Sequence, residues 1–275
     1  MPVLADHDLG MRNAADYTRD DTLTIVAISI VAVMLSTMLH EGVGHGAVAM
    51  LTGATSGTLT TVAWSSAYEN KLIYAGGTLV NLAAALFFWL LLRAARNASA
   101  QTRFFLLITM SFNLFTGTGY FLFSGITNFG DWAGVIAGLH PYWLWRVLLI
   151  VIGVAAYYVA MRIVGTSLVR YLGVPLSETR RFRRFTWIPY FAAIVIEVIA
   201  GLRNPIGLTL VFVSALPATA GGNCGLLFLD HYIPRSIPPG PNSQAVTRSY
   251  PWIIASVALA LIFILVLGPG VQIRR

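Results

Sequence analysis

Charged side chains are scarce in this sequence. Asp, Glu, Lys and Arg make up 11% of its 275 residues, against about 25% in typical soluble domains. Hydrophobic residues make up 57%, and the mean hydropathy is +0.73. We therefore predict an integral membrane protein, and a bacterial cell membrane as its location. A single cysteine, Cys224, excludes an intrachain disulfide.

Several familiar patterns are also missing. The apolar runs lack the alternation of a β-barrel, and we find no internal repeat, no phosphate-cradling glycine loop and no nucleophile elbow. Residues 1–21 contain five aspartates but no basic region followed by an apolar core and a cleavage site, so we do not expect a signal peptide. At the end of this segment, Asp20 and Asp21 are expected to cap the first helix.

Long apolar runs predict an all-α fold, a polytopic transmembrane helical bundle with six or seven spans. We divide the chain into a polar N-terminal segment (1–21), a metal-site membrane core (22–139) and a C-terminal helical membrane half (140–275). Residues 52–70 are expected to form a hairpin or a loop on the membrane. The candidate spans are 22–51, 72–95, 103–124, 142–164, 187–202, 205–229 and 251–269.

The net charge of +7 arises from 18 Lys and Arg against 11 Asp and Glu. Many arginines lie at the ends of spans, as in the stretches 93–103 and 162–184. That placement follows the positive-inside rule, so both stretches are predicted to be cytoplasmic. A phosphate-binding surface is the alternative, but we expect no nucleic-acid partner.

The most informative motif is His40-Glu41-Gly42-Val43-Gly44-His45, within the first apolar run. Ionisable residues inside a span are costly to bury and indicate a functional site. Histidines five residues apart would point about 140° away from each other in a regular α-helix. A π-bulge would absorb the extra residue, and the two glycines lower its cost. We therefore predict a zinc site with Glu41 as the general base; the alternative is that both histidines merely cap or pack the helix.

A third metal ligand is needed to complete such a site. Asp131, in the segment Asn128-Phe129-Gly130-Asp131-Trp132, would add one oxygen to the two histidine nitrogens and leave a fourth position for water. Its local alternative is an N-cap of a short helix starting at Trp132. Asp230 and His231 remain the rival suppliers of a third ligand.

Other polar residues in the apolar runs have competing interpretations. The small residues before Asn81 are expected to form a helix-packing face, and Asn81 itself is expected to have a partner in a neighbouring helix or at the site. Glu197 is expected to pair with Arg203 at a helix end, the alternative being a role in the site. Gly117, Gly119 and Gly125 suggest that the third span is broken or re-entrant.

Two family resemblances bear on these residues. The pattern His-Glu-x-x-Gly-His at 40–45 resembles that of dipeptidyl peptidase III, a soluble zinc peptidase with the same histidine spacing. Over roughly residues 30–135 the chain resembles the site-2 protease family of intramembrane zinc metalloproteases. The shared features are a His-Glu motif in an early span, a glycine and Asn81 in the next, and Asn113 followed by Gly130-Asp131.

The second resemblance implies zinc bound by His40, His45 and Asp131, with Glu41 as base and Asn113 near the substrate. We expect Asn81 to contact the substrate as well. The expected function is hydrolysis of peptide bonds in or near membrane-spanning segments. Expected partners are a membrane protein substrate and the lipid bilayer. The alternatives are a membrane zinc hydrolase acting on a lipid amide or ester, and a metal-binding transporter without enzymatic activity.

Overall fold

A computed structural model describes residues 20–173, 179–205, 209, 211–232 and 244–275. Within these ranges the chain forms eight helices and one small sheet, and seven of the helices are long and apolar enough to cross a membrane. The predicted all-α, multi-pass membrane architecture is confirmed. Most of the predicted polar segment 1–21 lies outside the described residues.

The helices follow the predicted spans, and two of them extend eight residues beyond the predicted bounds, to Leu172 and from Thr179. The one short helix, α4, lies between the third and fourth long helices. In chain order the helices are α1 Thr22–Thr52, α2 Lys71–Ala94, α3 Ala100–Thr127, α4 Asp131–Ile136, α5 Tyr142–Leu172, α6 Thr179–Gly201, α7 Val211–His231 and α8 Tyr250–Leu267.

Helix α1 begins at the predicted cap. The Asp21 side chain accepts a 3.0 Å hydrogen bond from the backbone amide of Thr24, which satisfies one of the free N–H groups of the first turn. The helix is α-helical over Thr22–Met38, π-helical over Leu39–Ala47 and α-helical again over Val48–Thr52. A π-helical insertion at the His-Glu motif was predicted from the histidine spacing, and it is confirmed.

Helix α3 lies at the centre of the bundle and packs against α1, α2 and α5. Phe104, Met110, Phe112 and Phe115 are completely buried along it. The prediction of a broken or re-entrant third span is wrong, since α3 is one continuous helix of 28 residues. Its glycines serve close packing instead: a side chain at Gly125 would meet the backbone of α5 at 3.0 Å.

A three-stranded antiparallel sheet covers one end of the bundle. Strands β1 (Ser56–Leu59) and β2 (Trp64–Ser65) form the predicted hairpin between α1 and α2, and β3 (Val271–Arg274) adds to its other side in the order β2-β1-β3. The register pairs Ser56 with Arg274 and Leu59 with Val271. Strand β3 was not predicted from the sequence.

The opposite end of the bundle is tied together by charged residues. The buried Asp20 carboxylate accepts a 2.7 Å hydrogen bond from Arg181 Nε at the start of α6 and a 2.9 Å bond from the amide of Val246. Gln101, at the start of α3, donates to the Thr247 carbonyl at 3.1 Å. The arginine-rich helix ends therefore lie at one end of the bundle, and the hairpin and β3 lie at the opposite end.

Candidate metal centre

The π-helical turn places two imidazoles side by side. His40 and His45 are both buried, and their Nε2 atoms are 3.2 Å apart. In a regular α-helix these side chains would diverge. The wider turn brings them to the same side of α1, facing α2.

The hydrogen bonds at Nδ1 fix the tautomer of both histidines. His45 Nδ1 lies 2.7 Å from the Ile73 carbonyl oxygen, which can only accept a hydrogen bond. His40 Nδ1 lies 2.5 Å from Asn81 Oδ1, also an acceptor. Each Nδ1 therefore carries the proton in the neutral ring, and each Nε2 presents a lone pair. Two lone pairs that face each other repel unless a cation lies between them, and this tautomer is the usual one for metal-binding histidines.

Asp131 supplies a third donor to the same point. Its Oδ2 atom lies 3.2 Å from His40 Nε2 and 3.5 Å from His45 Nε2. This oxygen is buried and has no hydrogen-bond partner. The alternative prediction of an N-cap is wrong: Asp131 is already the first residue of α4, its cap is Gly130 with φ of 82°, and no side chain caps the helix.

The three donor atoms fit a tetrahedral metal ion. Ligand atoms about 2.0–2.1 Å from zinc at tetrahedral angles lie about 3.3–3.4 Å apart. The observed separations are 3.2, 3.2 and 3.5 Å. Two nitrogens and one carboxylate oxygen also form a donor set that zinc accepts.

Two contacts hold Asp131 in position. The neighbouring Trp132 donates from its indole nitrogen to Thr78 Oγ1 at 3.1 Å, which ties α4 to α2. Its backbone amide donates to Ser124 Oγ at 3.2 Å, which ties α4 to α3.

Glu41 stands slightly apart from the three donors. Its Oε1 atom is 4.0 Å from His40 Nε2, and Oε2 accepts a 2.9 Å hydrogen bond from the amide of Trp64. His40, Glu41 and His45 together form a buried group whose ligand atoms all lie within 4.8 Å of one another. The larger separation and the engaged Oε2 fit a base beside a metal-bound water better than a ligand.

The two asparagines lie behind His40. Asn81 is completely buried; besides its contact with His40 it donates to Asn113 Oδ1 at 2.8 Å, and Asn113 donates to the Thr109 carbonyl at 2.8 Å. Neither side chain lines the cavity that leads to the cluster. The geometry thus supports a role in orienting His40 and does not support the predicted contact with substrate.

Gly77 is required where α2 passes the histidines. A Cβ atom there would lie 2.5 Å from His45 Nε2 and 2.6 Å from His40 Nε2, closer than atoms can approach. A Cβ atom at Gly44 would likewise meet the Gly77 Cα atom at 2.4 Å. The small residues in the second span were interpreted only as a helix-packing face. The structure shows that Gly77, which lacks a side chain, also leaves the space in which the two histidine Nε2 atoms converge.

The rival third ligands lie elsewhere. Asp230 pairs with His231 at 2.8 Å and with Arg183 at 3.5 Å. Arg183 precedes Glu197 on α6 by about four helical turns, and Glu197 bonds to Thr37 close to the cluster. Asp230 and His231 are therefore at the far end of the bundle.

Glu197 also differs from its prediction. It is 3% exposed and accepts a 2.6 Å hydrogen bond from Thr37 Oγ1, one turn before His40. The predicted pairing with Arg203 is wrong: among the described residues no ion pair includes Glu197, and Arg203 is exposed. Arg203 is the nearest cation to Glu197 in the sequence, but the helix directs the Glu197 carboxyl toward α1.

A cavity of about 430 Å³ leads from the surface near the hairpin to the cluster; we term it the mouth. Tyr120 stacks on His40 with ring centroids 4.8 Å apart, and it lines the mouth together with Asp131 and Glu41. Lys and Arg are absent from the described residues that line the mouth. Its aromatic side chains are Trp64, Tyr68, Tyr74, Tyr120, Phe123 and Phe129.

No protein-family model, characterised protein or solved structure matches this chain. The function must therefore be argued from the cluster itself.

Proposed function

We propose that this protein is a zinc-dependent intramembrane peptidase that hydrolyses peptide bonds in or near membrane-spanning segments. The observation that carries the proposal is the meeting of two imidazole lone pairs and a partnerless carboxylate oxygen at tetrahedral spacing, inside a bundle of membrane-spanning helices. The family resemblance of the motif agrees with this assignment.

The proposed ligands are His40, His45 and Asp131. A zinc ion held there would polarise the scissile carbonyl and make a water molecule more acidic. Glu41 is positioned to remove a proton from the attacking water, since its Oε1 faces the cluster while the hairpin holds Oε2. As the carbonyl carbon gains its bond to the water oxygen and the C–N bond breaks, Glu41 returns the proton to the leaving amine.

Two features of the mouth favour a peptide over a lipid. Strand β2 (Trp64–Ser65) lies at the edge of the sheet, and Trp64 lines the mouth together with the adjacent Ser66. An edge strand offers backbone groups to an extended peptide. The mouth also lacks a lysine or arginine among its described lining residues, so it offers no cation to a phospholipid phosphate.

One observation favours the lipid alternative. An apolar cavity of about 270 Å³ lies between α3, α5 and α7 and shares Tyr120 and Phe123 with the mouth. It is large enough for part of an acyl chain. A lipid amide or ester hydrolase is thus the second candidate, and the same donors and base would serve it.

The test is a substrate panel. Zinc-loaded protein in lipid nanodiscs is incubated with membrane-spanning peptides and, separately, with lipid amides and esters, and products are identified by mass spectrometry. The proposal expects peptide cleavage that a zinc chelator abolishes and added zinc restores. Lipid cleavage alone would establish the second candidate. Retained zinc with no hydrolysis of either class would favour a metal-binding transporter and contradict the proposal.

A further inference from the structure

A third, smaller cavity adjoins the cluster on the side of α6 and α7. Its volume is about 40 Å³, and its walls come from α1, the hairpin, α3, α6 and α7. We term it the inner chamber. Its polar lining includes Thr37, Glu41, Thr61, Glu197, Thr219 and Asn223.

The inner chamber contains polar atoms that lack partners. Thr61 Oγ1 and Asn223 Oδ1 are both buried without a hydrogen bond, on side chains that are each 2% exposed. The Asn223 amide nitrogen donates to the Thr219 carbonyl at 3.0 Å, which leaves its oxygen available. Buried polar groups without a partner cost free energy, and buried water molecules typically bond to such groups.

The third polar group is the carboxyl of Glu197. Its hydrogen bond from Thr37 engages Oε1. None of the described residues that line the inner chamber is a lysine or arginine. A carboxyl group inside a membrane-spanning helix therefore has no cationic partner here, which marks a functional position.

The volume and the donors match water. A bound water needs about 10–15 Å³ of accessible volume and two to four polar partners. The chamber therefore has room for about three waters, and Glu197, Thr61 and Asn223 provide the partners.

The inner chamber and the mouth meet at the cluster. Glu41, Val62 and Tyr120 line both cavities. A peptide that fills the mouth would cover Glu41 from the surface side. Hydrolysis consumes one water in each turnover, so water held on the inner side of Glu41 remains in reach while the substrate is bound.

We propose that Glu197 is a positioning residue that, with Thr61 and Asn223, holds a reservoir of ordered water behind Glu41. The inference rests on the proposed hydrolase function for its kinetic consequence, and on the geometry alone for the presence of water. These two parts are tested separately.

The first test locates the water directly. Density maps of the zinc-loaded wild type and of Glu197→Leu, at a resolution that shows ordered water, should reveal about three waters in the wild-type chamber and fewer in the variant. A dry wild-type chamber, or one filled by a lipid tail, would overturn the inference. This measurement needs no catalytic activity, so it decides the inference even if the protein hydrolyses nothing.

The second test separates hydration from folding and metal binding. Glu197→Leu should lower kcat about tenfold, the effect of losing roughly one hydrogen bond to the reacting water, while KM and zinc content stay unchanged. Glu197→Gln still binds water and should keep wild-type kcat. Thr61→Val, a smaller change in the hairpin, should also lower kcat. The matched control is Thr186→Val, a buried position on α6 outside the chamber, which should change nothing.

Three outcomes would contradict the kinetic part. The first is an unchanged kcat in both Glu197→Leu and Thr61→Val. The second is an equal loss of kcat in Glu197→Gln and Glu197→Leu. The third is a loss of zinc that parallels the loss of activity. A wild type without hydrolytic activity would instead defeat the proposed function and leave the water maps to decide the inference.

Discussion

The backbone amide of Trp64 donates a 2.9 Å hydrogen bond to Oε2 of Glu41. Through this bond the hairpin between α1 and α2 fixes the carboxylate that we propose as the general base, leaving Oε1 turned toward the histidines at 4.0 Å. The hairpin is also paired with the C-terminal strand β3. The chain end farthest from the motif therefore helps to hold the orientation of Glu41.

The first prediction concerns the metal ligands. Purified protein should contain about one zinc per chain, and alanine at His40, His45 or Asp131 should remove most of it, because each donor faces the same point. His231→Ala is the matched control and should keep full occupancy, since its side chain is exposed at the far end of the bundle. Elemental analysis of the folded variants decides this. Full occupancy in Asp131→Ala together with loss in His231→Ala would mean that the third ligand is misassigned.

The second prediction concerns the space beside the histidines. Gly77→Ala should abolish zinc binding or lower zinc affinity at least about tenfold, since the new methyl group would overlap both Nε2 atoms. Gly221→Ala is the control, because a Cβ atom there has nothing within 4 Å. Zinc titration monitored by a competing chelator gives both affinities. Equal affinities for the two variants would show that the donors do not converge beside α2.

The histidine spacing was informative because geometry leaves few solutions. Two imidazoles five residues apart cannot face one point from an α-helix, so a functional pair implies a π-helical insertion, as the structure shows over Leu39–Ala47. The spans could also be predicted from the sequence, since a helix must be apolar along about 20 residues to cross a bilayer.

Other features depended on contacts that the local sequence does not encode. The Trp64 bond to Glu41 joins two elements across a turn, and β3 pairs with β1 from the other end of the chain. Glu197 was expected to pair with Arg203, six residues away, but its rotation on α6 directs it to Thr37. The glycines of α3 were interpreted as helix breaks because sequence alone does not show that a neighbouring helix fills the space beside them.

A third prediction addresses membrane orientation. The arginine-rich ends of α2, α3, α5 and α6 should face the cytoplasm, and the hairpin should face the other side. In a Cys224→Ser background, Asn97→Cys should react with a membrane-impermeant thiol reagent only after cells are permeabilised. Thr55→Cys, beside the hairpin, should react in intact cells, and both positions are exposed. The reverse pattern would invert the topology.

A fourth prediction uses the acidic cap of α1. The hydrogen bonds from Arg248 hold the pKa of the Asp21 carboxyl below its ordinary value of 3.8, and partial burial opposes them only in part. Because the folded-state pKa is lowered, the stabilisation is present above the unfolded-state pKa and is lost as pH falls through the folded-state pKa. Melting temperatures from pH 7 down to about 3 should therefore fall less steeply in Asp21→Asn than in the wild type. Parallel curves of melting temperature against pH for the two proteins would mean that the Asp21 carboxyl has the same pKa in the folded and unfolded states.

The most direct test of the central claim is the Glu41→Gln variant. Glutamine keeps the size of the side chain and an oxygen for the Trp64 amide but cannot take a proton. The account predicts wild-type zinc content and melting temperature together with a loss of peptide cleavage of about 10²–10⁴-fold. Unchanged turnover in the zinc-replete variant, or loss of zinc and stability in step with activity, would contradict the assignment of Glu41 as the base of a zinc peptidase.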